Sequence, residues 1–329
     1  MDKNKLLSIV IPAYNSASTI KSCIESILVS CNIDNTEVIV INDGSKDETQ
    51  QIVESFCNDY TNIRLINNSN HGVSYSRNLG ITISRGEWIC FIDSDDTITP
   101  NFLKDFYKGA NGVSFDLFFG NVERSELNGN IYIEYQFPTI SVDTKTAIEK
   151  YSLLISGDPH AKIFNREIIE KNNIRFDEEI SYGEDRLFFD NFLLYCSNIA
   201  FDGEVCYKYL RNPNGLSYKR FSYHSELRWF KSLSETLNNL SKHFYIDKQT
   251  TRLKYSSLRF LTQLVSDNNF KKYHNILSTF KDYEIENIIS DLRLLLHIPY
   301  FVDIKPGSFL IYIVFKIRII IKQIILKIK

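Results

Sequence analysis

Short apolar runs recur through the first third of the chain. They are Leu6–Ile11, Glu37–Asn42, Ile63–Ile66 and Trp88–Ile92, and each is almost continuously apolar rather than alternating with polar residues. Continuous apolar runs are expected of strands that are buried on both faces, as in a parallel sheet covered by helices. The pattern therefore predicts four strands of one such sheet.

The segments between these runs have helical spacing. Ile20, Ile24, Ile27 and Leu28 fall on one face of a helix, and Val73–Ile83 forms a second helical pattern. Strands that alternate with helices indicate the α/β class.

Residues 101–220 have a mixed pattern. Strand-like runs occupy residues 115–120 and 131–137, and helical patterns occupy residues 144–156 and 184–195. We interpret this region as a second half-domain that completes a site begun by the first half-domain, residues 1–100.

The last hundred residues divide into two segments. Residues 221–304 have helical spacing and are interpreted as a helical extension. Residues 305–329 are apolar but interrupted by cations, and their longest uncharged apolar run, Phe309–Phe315, is much shorter than the roughly 18 residues of a spanning helix. We predict that this tail lies in an anionic membrane interface, with Lys and Arg reaching the headgroups. Docking on a partner or on the protein's own core is the alternative.

Charge narrows the choice of partners. The 329 residues have a formal net charge of −2; the tail holds six Lys and Arg and no acid, so subtracting those six charges leaves −8 on the rest. An acidic body argues against nucleic acid as the main partner, because phosphate backbones need a broad cationic face.

The helical extension could pack on a second copy, which would make the protein a homo-oligomer.

The N-terminus and the cysteines bear on location. The apolar run near the N-terminus is too short for a signal-peptide core, and the six cysteines are scattered without a C-x-x-C pair. These features predict a cytoplasmic protein that associates peripherally with the inner face of the plasma membrane.

Polar residues follow three of the predicted strands. Residues 12–15 come after the first strand, 43–45 after the second and 93–96 after the fourth. Ligands of open parallel sheets bind beyond the carboxyl ends of the strands, so these three loops are predicted to form one site.

Three carboxylates in the last of these loops, Asp93, Asp95 and Asp96, suggest a metal. Carboxylates this close repel one another, and a divalent cation with oxygen ligands would offset that repulsion. Such a cation could bridge a substrate diphosphate and neutralise its charge as it leaves. The alternative is that Asp95 or Asp96 caps the next helix.

Several motifs in order give the chain a family resemblance. It resembles the inverting nucleotide-sugar glycosyltransferases of family 2, of the bacterial polysaccharide-biosynthesis type, over about residues 5–220. The resemblance implies the GT-A fold, a single Rossmann-like nucleotide-binding domain with a mixed sheet. The motifs are SIVIPAYN (8–15), VIVINDGSKDET (38–49), NHGVSYSRNLGI (70–81), FIDSDD (91–96), HAKIFNREII (160–169) and YGEDRLFF (182–189).

The resemblance also implies how the donor is held. Asp43 matches the acid that typically pairs with uracil, which implies a UDP-linked donor. Arg77 matches the arginine near the base and diphosphate, and Asp93 matches the first acid of the D-x-D motif, commonly near the ribose. The residues that match the nucleotide-holding loop are Pro12, Tyr14 and Asn15.

Two acids match the chemical roles. Asp95 matches the metal-binding acid, which implies Mn²⁺ or Mg²⁺, and Asp185 matches the catalytic base that removes the proton from the acceptor hydroxyl. Inversion by direct displacement needs such a carboxylate on the face opposite the leaving diphosphate. The alternative for Glu184 and Asp185 is an acidic first turn of a helix.

Other polar residues near the motifs are further candidates for the site. Lys162 could hold a phosphate or a neighbouring carboxylate, Arg211 could line the donor, and His224 could reach the metal or phosphate. His71 and His160 lack metal-ligand spacing and are interpreted as ordinary loop histidines. Two more acids complete the candidate set, Glu184 and Asp96.

We therefore predict a metal-dependent transferase that moves a hexose or N-acetylhexosamine from UDP to a sugar hydroxyl. The expected acceptor is a lipid-linked oligosaccharide in bacterial surface polysaccharide synthesis. One alternative is a catalytically silent nucleotide-sugar-binding scaffold. Another is a sugar nucleotidyltransferase, although that enzyme would need a glycine-rich basic loop after the first strand, where P-A-Y-N stands.

Overall fold

The structure is a computed structural model, and it describes part of the chain. The predicted tail, most of the helical extension and Arg211 lie outside the described residues. The residues described are 6–30, 35–110, 114–126, 129–151, 153, 157–210 and 223–246.

The described residues form two compact units. The first takes in those of 6–151, 157–178 and 184–210, and the second takes in 179–183 and 223–246 together with Leu153. The first unit contains all the strands and seven helices of the described residues. The second contains one described helix, α8 (Tyr223–Leu240).

The first unit alternates strands and helices before residue 110 and becomes irregular after it. Its strands are β1 (Leu7–Ala13), β2 (Thr36–Asn42), β3 (Ile63–Asn67), β4 (Trp88–Phe91), β5 (Thr97–Ile98), β6 (Leu117–Ser125), β7 (Ile131–Ile133), β8 (Ile140–Asp143), β9 (Lys162–Asn165) and β10 (Asn198–Leu210). Its helices are α1 (Ile20–Ser30), α2 (Thr49–Asp59), α3 (Val73–Ile83), α4 (Pro100–Ala110), α5 (Thr144–Tyr151), α6 (Arg166–Lys171) and α7 (Glu184–Leu193).

The four strands predicted from the apolar runs are confirmed. β1 pairs in parallel with both β2 and β4, and β2 pairs in parallel with β3. Every residue of β1 and β2 is buried, as continuous apolar runs require. The helices that the spacing predicted are also present as α1 and α3.

The sheet continues into the second half of this unit and becomes mixed. Its order across the described residues is β3-β2-β1-β4-β9-β6-β10-β5, with β7 on β6 and β8 on β10. β9 runs antiparallel to β4 and β6, while β10 runs parallel to β6. The antiparallel β9 brings the residues before it to the edge where the parallel strands end.

Two close packings position the site. A Cβ at Gly80 of α3 would lie 2.3 Å from Val10 Cγ1, so glycine lets α3 approach β1 closely. In α7, the Phe188 ring stacks on the Phe176 ring with centroids 4.1 Å apart, and it meets the Phe91 ring edge to face with centroids 5.6 Å apart. These contacts fix the helices that carry Arg77 and Asp185.

A membrane-spanning helix needs roughly 18 or more apolar residues in succession. Within the part of the chain that the structure describes, no helix is long and apolar enough to cross a membrane.

Candidate active site

The loop after β1 is tied to the loop after β2. Asn15 adopts a left-handed backbone (φ 50°), which asparagine tolerates better than most residues. Its N–H donates to Ser45 Oγ at 3.0 Å, and its Oδ1 accepts from the Lys46 N–H at 2.7 Å. Pro12 is a buried residue of β1, and the side chain of Tyr14, just after the strand, is 48% exposed. The loop is therefore preformed with one aromatic side chain open to a ligand.

Asp43 organises a second loop. Its buried carboxylate accepts the backbone N–H of His71 at 2.8 Å and of Gly72 at 2.7 Å, and a longer bond comes from Asn68 Nδ2. The acid that the resemblance assigns to uracil thus also shapes residues 68–72. Because backbone N–H groups occupy both oxygens, the carboxylate is held in one orientation.

Asp93 lies between two cationic side chains. Its Oδ1 accepts from Arg77 Nη2 at 2.9 Å, and its Oδ2 lies 2.9 Å from His160 Nε2. Burial alone would raise the pKa of Asp93, but Arg77 and His160 hold it well below its usual range. Burial would lower the pKa of His160, but Asp93 raises it to about 9. The Asp93 carboxylate is ionised and the imidazole carries a proton at neutral pH.

Arg77 connects the donor-side loop to α7. Its side chain is 3% exposed, and its Nη1 lies 3.3 Å from Glu184 Oε1 while Nη2 holds Asp93. The guanidinium also lies over the Phe176 ring, 5.2 Å from the centroid. Burial would lower its pKa, but Asp93 and Asp185 raise the pKa of Arg77 above its ordinary value. One permanent cation therefore joins carboxylates from two motifs that stand about ninety residues apart in the sequence.

Two acids begin α7. Burial and the Asp185 charge raise the pKa of Glu184 to about 8, although Arg77 opposes the change. Burial also raises the pKa of the half-buried Asp185, again against the effect of Arg77. A carboxylate whose pKa is raised is a better proton acceptor when it is ionised.

Ligand-type atoms of Asp93, Asp96 and His160 lie within 4.8 Å of one another. Because the protonated His160 bonds Asp93, the two carboxylates are the groups of this cluster that could bind a metal. Asp96 accepts from Tyr207 Oη at 2.7 Å, and its burial raises its pKa to about 7. Asp93 and Asp95 add to this increase and His160 opposes it, and Asp95 beside the cluster is half-buried. Carboxylate oxygens of this kind suit Mn²⁺ or Mg²⁺.

The two remaining described candidates, Lys162 and His224, belong to different units. Lys162 in β9 is fully buried, beneath the loop that carries His160. His224 belongs to the second unit, where its side chain is 79% exposed and lies 3.8 Å from Glu179.

His160 is a site residue that the sequence reasoning missed. Its interpretation as an ordinary loop histidine was wrong, because the imidazole bonds Asp93. The signal lies in the strand register: Cys90 of β4 stands opposite Ile163 of β9, and continuing this antiparallel ladder by three residues places Asp93 opposite His160. Finding it from the sequence would have required both the strand β9 and its antiparallel pairing with β4.

Known proteins resemble this chain in sequence over much of its length. The family model described as Glycosyl transferase family 2 matches residues 8–172. The glycosyltransferase GlyG of Streptococcus pneumoniae serotype 4 is 26% identical over 298 residues, which cover 85% of this chain and 94% of GlyG. The succinoglycan biosynthesis protein ExoO of Rhizobium meliloti is 31% identical over 211 residues, which cover 62% of this chain and 58% of ExoO.

A solved structure shows the same fold. The crystal structure of S. aureus TarS 1-349, in complex with UDP-GlcNAc, matches with a TM-score of 0.64 at 20% identity, covering 92% of this chain and 95% of that one. The predicted fold class, an α/β GT-A domain with a mixed sheet, is confirmed.

Proposed function

This chain belongs to glycosyl transferase family 2, and we propose that it transfers one hexose or N-acetylhexosamine from a UDP-sugar to a sugar hydroxyl with inversion. The family predicted from the sequence is confirmed. The observation that carries the proposal is the buried Arg77, which bonds Asp93 of the D-x-D motif and Glu184 at the start of α7. This link holds the donor-side acid close to the helix that carries the proposed base, Asp185.

A UDP-linked donor is supported by two observations. The loop that Asp43 organises and the preformed Asn15 loop lie at the carboxyl edge of the parallel strands, where nucleotides bind in such sheets. The TarS fragment of the same fold was crystallised with UDP-GlcNAc. In this proposal Pro12, Tyr14 and Asn15 hold the nucleotide, with Asp43 near the base and Arg77 near the diphosphate.

Asp185 acts as the general base. It accepts the proton of the acceptor hydroxyl as that oxygen attacks the anomeric carbon from the face opposite the diphosphate. The bond between the anomeric carbon and the phosphate oxygen breaks, and UDP leaves. The raised pKa of Asp185 favours its role as a proton acceptor.

A divalent cation, Mn²⁺ or Mg²⁺, would be held by Asp95 with Asp93 or Asp96. When bound, it supplies electrostatic stabilisation of the charge that develops on the leaving diphosphate. His160 and Arg77 hold Asp93 in place for this role.

The acceptor is proposed to be a lipid-linked oligosaccharide of a bacterial surface polysaccharide. ExoO, a relative named for succinoglycan biosynthesis, supports a role in polysaccharide assembly. The basic apolar tail of residues 305–329 supports an acceptor at an anionic membrane surface.

The test is UDP release from four donors, UDP-Glc, UDP-Gal, UDP-GlcNAc and UDP-GalNAc, each with Mn²⁺ or with EDTA. We expect Mn²⁺-dependent release from one donor, and a loss of at least about 100-fold in Asp185→Asn, since a general base contributes that much. Asp95→Asn should lose the Mn²⁺ dependence. The exposed Asp59→Asn is the matched control and should keep full activity.

Two results would contradict the proposal. Equal release by Asp185→Asn and the intact protein would remove the base from its role. If no donor released UDP and calorimetry found no UDP binding in the presence of Mn²⁺, the UDP-sugar assignment would be wrong.

A further inference from the structure

Lys162 has no exposure to solvent, and its burial lowers the pKa of its amine to about 7. It stands at the start of β9, and its Nζ lies 4.0 Å from the centroid of the Phe119 ring and 4.8 Å from that of Phe189. Taking an ammonium group out of water is costly unless hydrogen bonds and charges compensate. A lysine buried there therefore needs hydrogen-bond acceptors around its amine.

The ammonium group bonds the backbone of the preceding loop. Nζ donates to the carbonyl oxygens of Asp158 and of His160, the latter at 3.4 Å. Between them and β9 stands Ala161 with a left-handed backbone (φ 54°), which is unfavourable for alanine. The lysine thus closes a tight loop that contains a residue in an unfavourable backbone conformation.

This loop carries His160 of the site and Asp158, which is tied to Arg124. The His160 imidazole bonds Asp93 at 2.9 Å, and the Asp158 carboxylate accepts from Arg124 Nη2 at 2.9 Å. The position of Asp93 therefore depends on the loop, and the loop depends on Lys162.

We infer that Lys162 is a positioning residue: it fixes the loop 158–161 from below and so holds His160 against Asp93, without touching the nucleotide. This inference rests on the proposed function for its effect on donor binding, and on geometry alone for its effect on the loop. It replaces the phosphate-binding role considered from the sequence.

The test compares three variants. Lys162→Met keeps a long apolar side chain between the two phenylalanine rings but removes the donors, and Lys162→Gln retains a shorter donor. Lys171→Met, at a side chain that is 71% exposed, is the matched control. Thermal unfolding first establishes which variants fold. Because there are two Lys162 variants, the test can still be made if one of them does not fold.

The first readout is amide hydrogen exchange of residues 157–162, which needs no ligand. We expect exchange about tenfold faster in Lys162→Met, a smaller increase in Lys162→Gln and no change in Lys171→Met, because the loop loses hydrogen bonds that hold its backbone. Unchanged exchange in both Lys162 variants would overturn the inference, whether or not the protein binds UDP.

The second readout separates positioning from phosphate contact. Calorimetry with Mn²⁺ should show UMP and UDP affinities that fall by a similar factor, about tenfold, in Lys162→Met, because a displaced Asp93 affects both nucleotides. A contact with the second phosphate would weaken UDP alone, and that result would overturn the inference. In a His160→Gln background, Lys162→Met should cause little further loss, as expected when one residue acts through the other.

Failure of the proposed function would look different. The intact protein would then bind neither nucleotide, while loop exchange would still respond to Lys162→Met.

Discussion

The fold controls the charge state of His160. Its pKa rises from 6.5 to about 9 because the attraction of Asp93 outweighs the effect of burial. A raised histidine pKa means that the folded state binds the proton more tightly than the unfolded state. The stabilisation is complete below pH 6.5 and is lost as the pH rises through about 9.

Urea unfolding in EDTA between pH 6 and 9.5 tests this effect. We expect the unfolding free energy of the intact protein to fall across this range relative to that of His160→Gln, by up to about 3 kcal/mol at 1.36 kcal/mol per pKa unit. His71→Gln, at an exposed histidine, is the control and should follow the intact protein. Parallel pH curves for His160→Gln and the intact protein would contradict the assignment of the charge.

The site residues differ in how far sequence could predict them. Asp43 and Asp93 follow continuous apolar strands, so their place at the sheet edge could be inferred from local pattern and from the motifs. The bond from His160 to Asp93 joins residues 67 positions apart and depends on the antiparallel pairing of β9. Local pattern does not contain that pairing, so the histidine was missed.

The elements show the same contrast. β1, β2 and β4 were predictable because each contains a continuous apolar run that is buried along nearly its whole length. β3 was recognised from its short apolar run, although only Ile63 of its five residues is buried. β9 was missed because it has four residues and begins with a lysine. β10 was missed because Asp202, Gly203 and Glu204 interrupt its apolar pattern, where the structure has an irregularity between Asp202 and Val205. The strand-like run 131–137 contains only the short β7.

The segment that leads into α7 offers a prediction at this scale. Gly183 has a left-handed backbone (φ 92°), and within the second unit Trp229 Nε1 of α8 donates to its carbonyl at 3.1 Å. A Cβ at this position would lie 2.3 Å from Trp229 Nε1. Gly183→Ala should therefore lower the unfolding free energy by roughly 2–4 kcal/mol, since strain and overpacking add.

Gly129→Ala is the matched control for that variant. Gly129 has a similar backbone (φ 83°), but a Cβ there would meet nothing within 4 Å. Its cost should be the conformational one, about 1 kcal/mol, measured by the same urea unfolding. Equal losses in the two variants would show that the contact with Trp229 adds nothing.

At the scale of the whole molecule, charge is unevenly distributed. The tail of residues 305–329 carries six positive charges, whereas the rest of the chain carries −8. An acidic body is repelled by an anionic membrane, so attachment would have to come from the tail. Attraction of this kind amounts to about 1 kcal/mol for each Lys or Arg near the surface and weakens with salt.

Neutralising part of the tail in the full chain tests that attachment. Changing Lys316, Lys322 and Lys327 to Gln together should lower the affinity for anionic vesicles by about 100-fold, because about 3 kcal/mol of attraction is removed. Sedimentation with the vesicles measures this affinity. The control changes Lys21, Lys108 and Lys171 to Gln, three side chains that are about 70% exposed. This control has the same net charge, so a loss confined to the tail variant places the contact in the tail. Equal losses in the two variants would mean that only overall charge matters, and the tail would then have no specific role at the membrane.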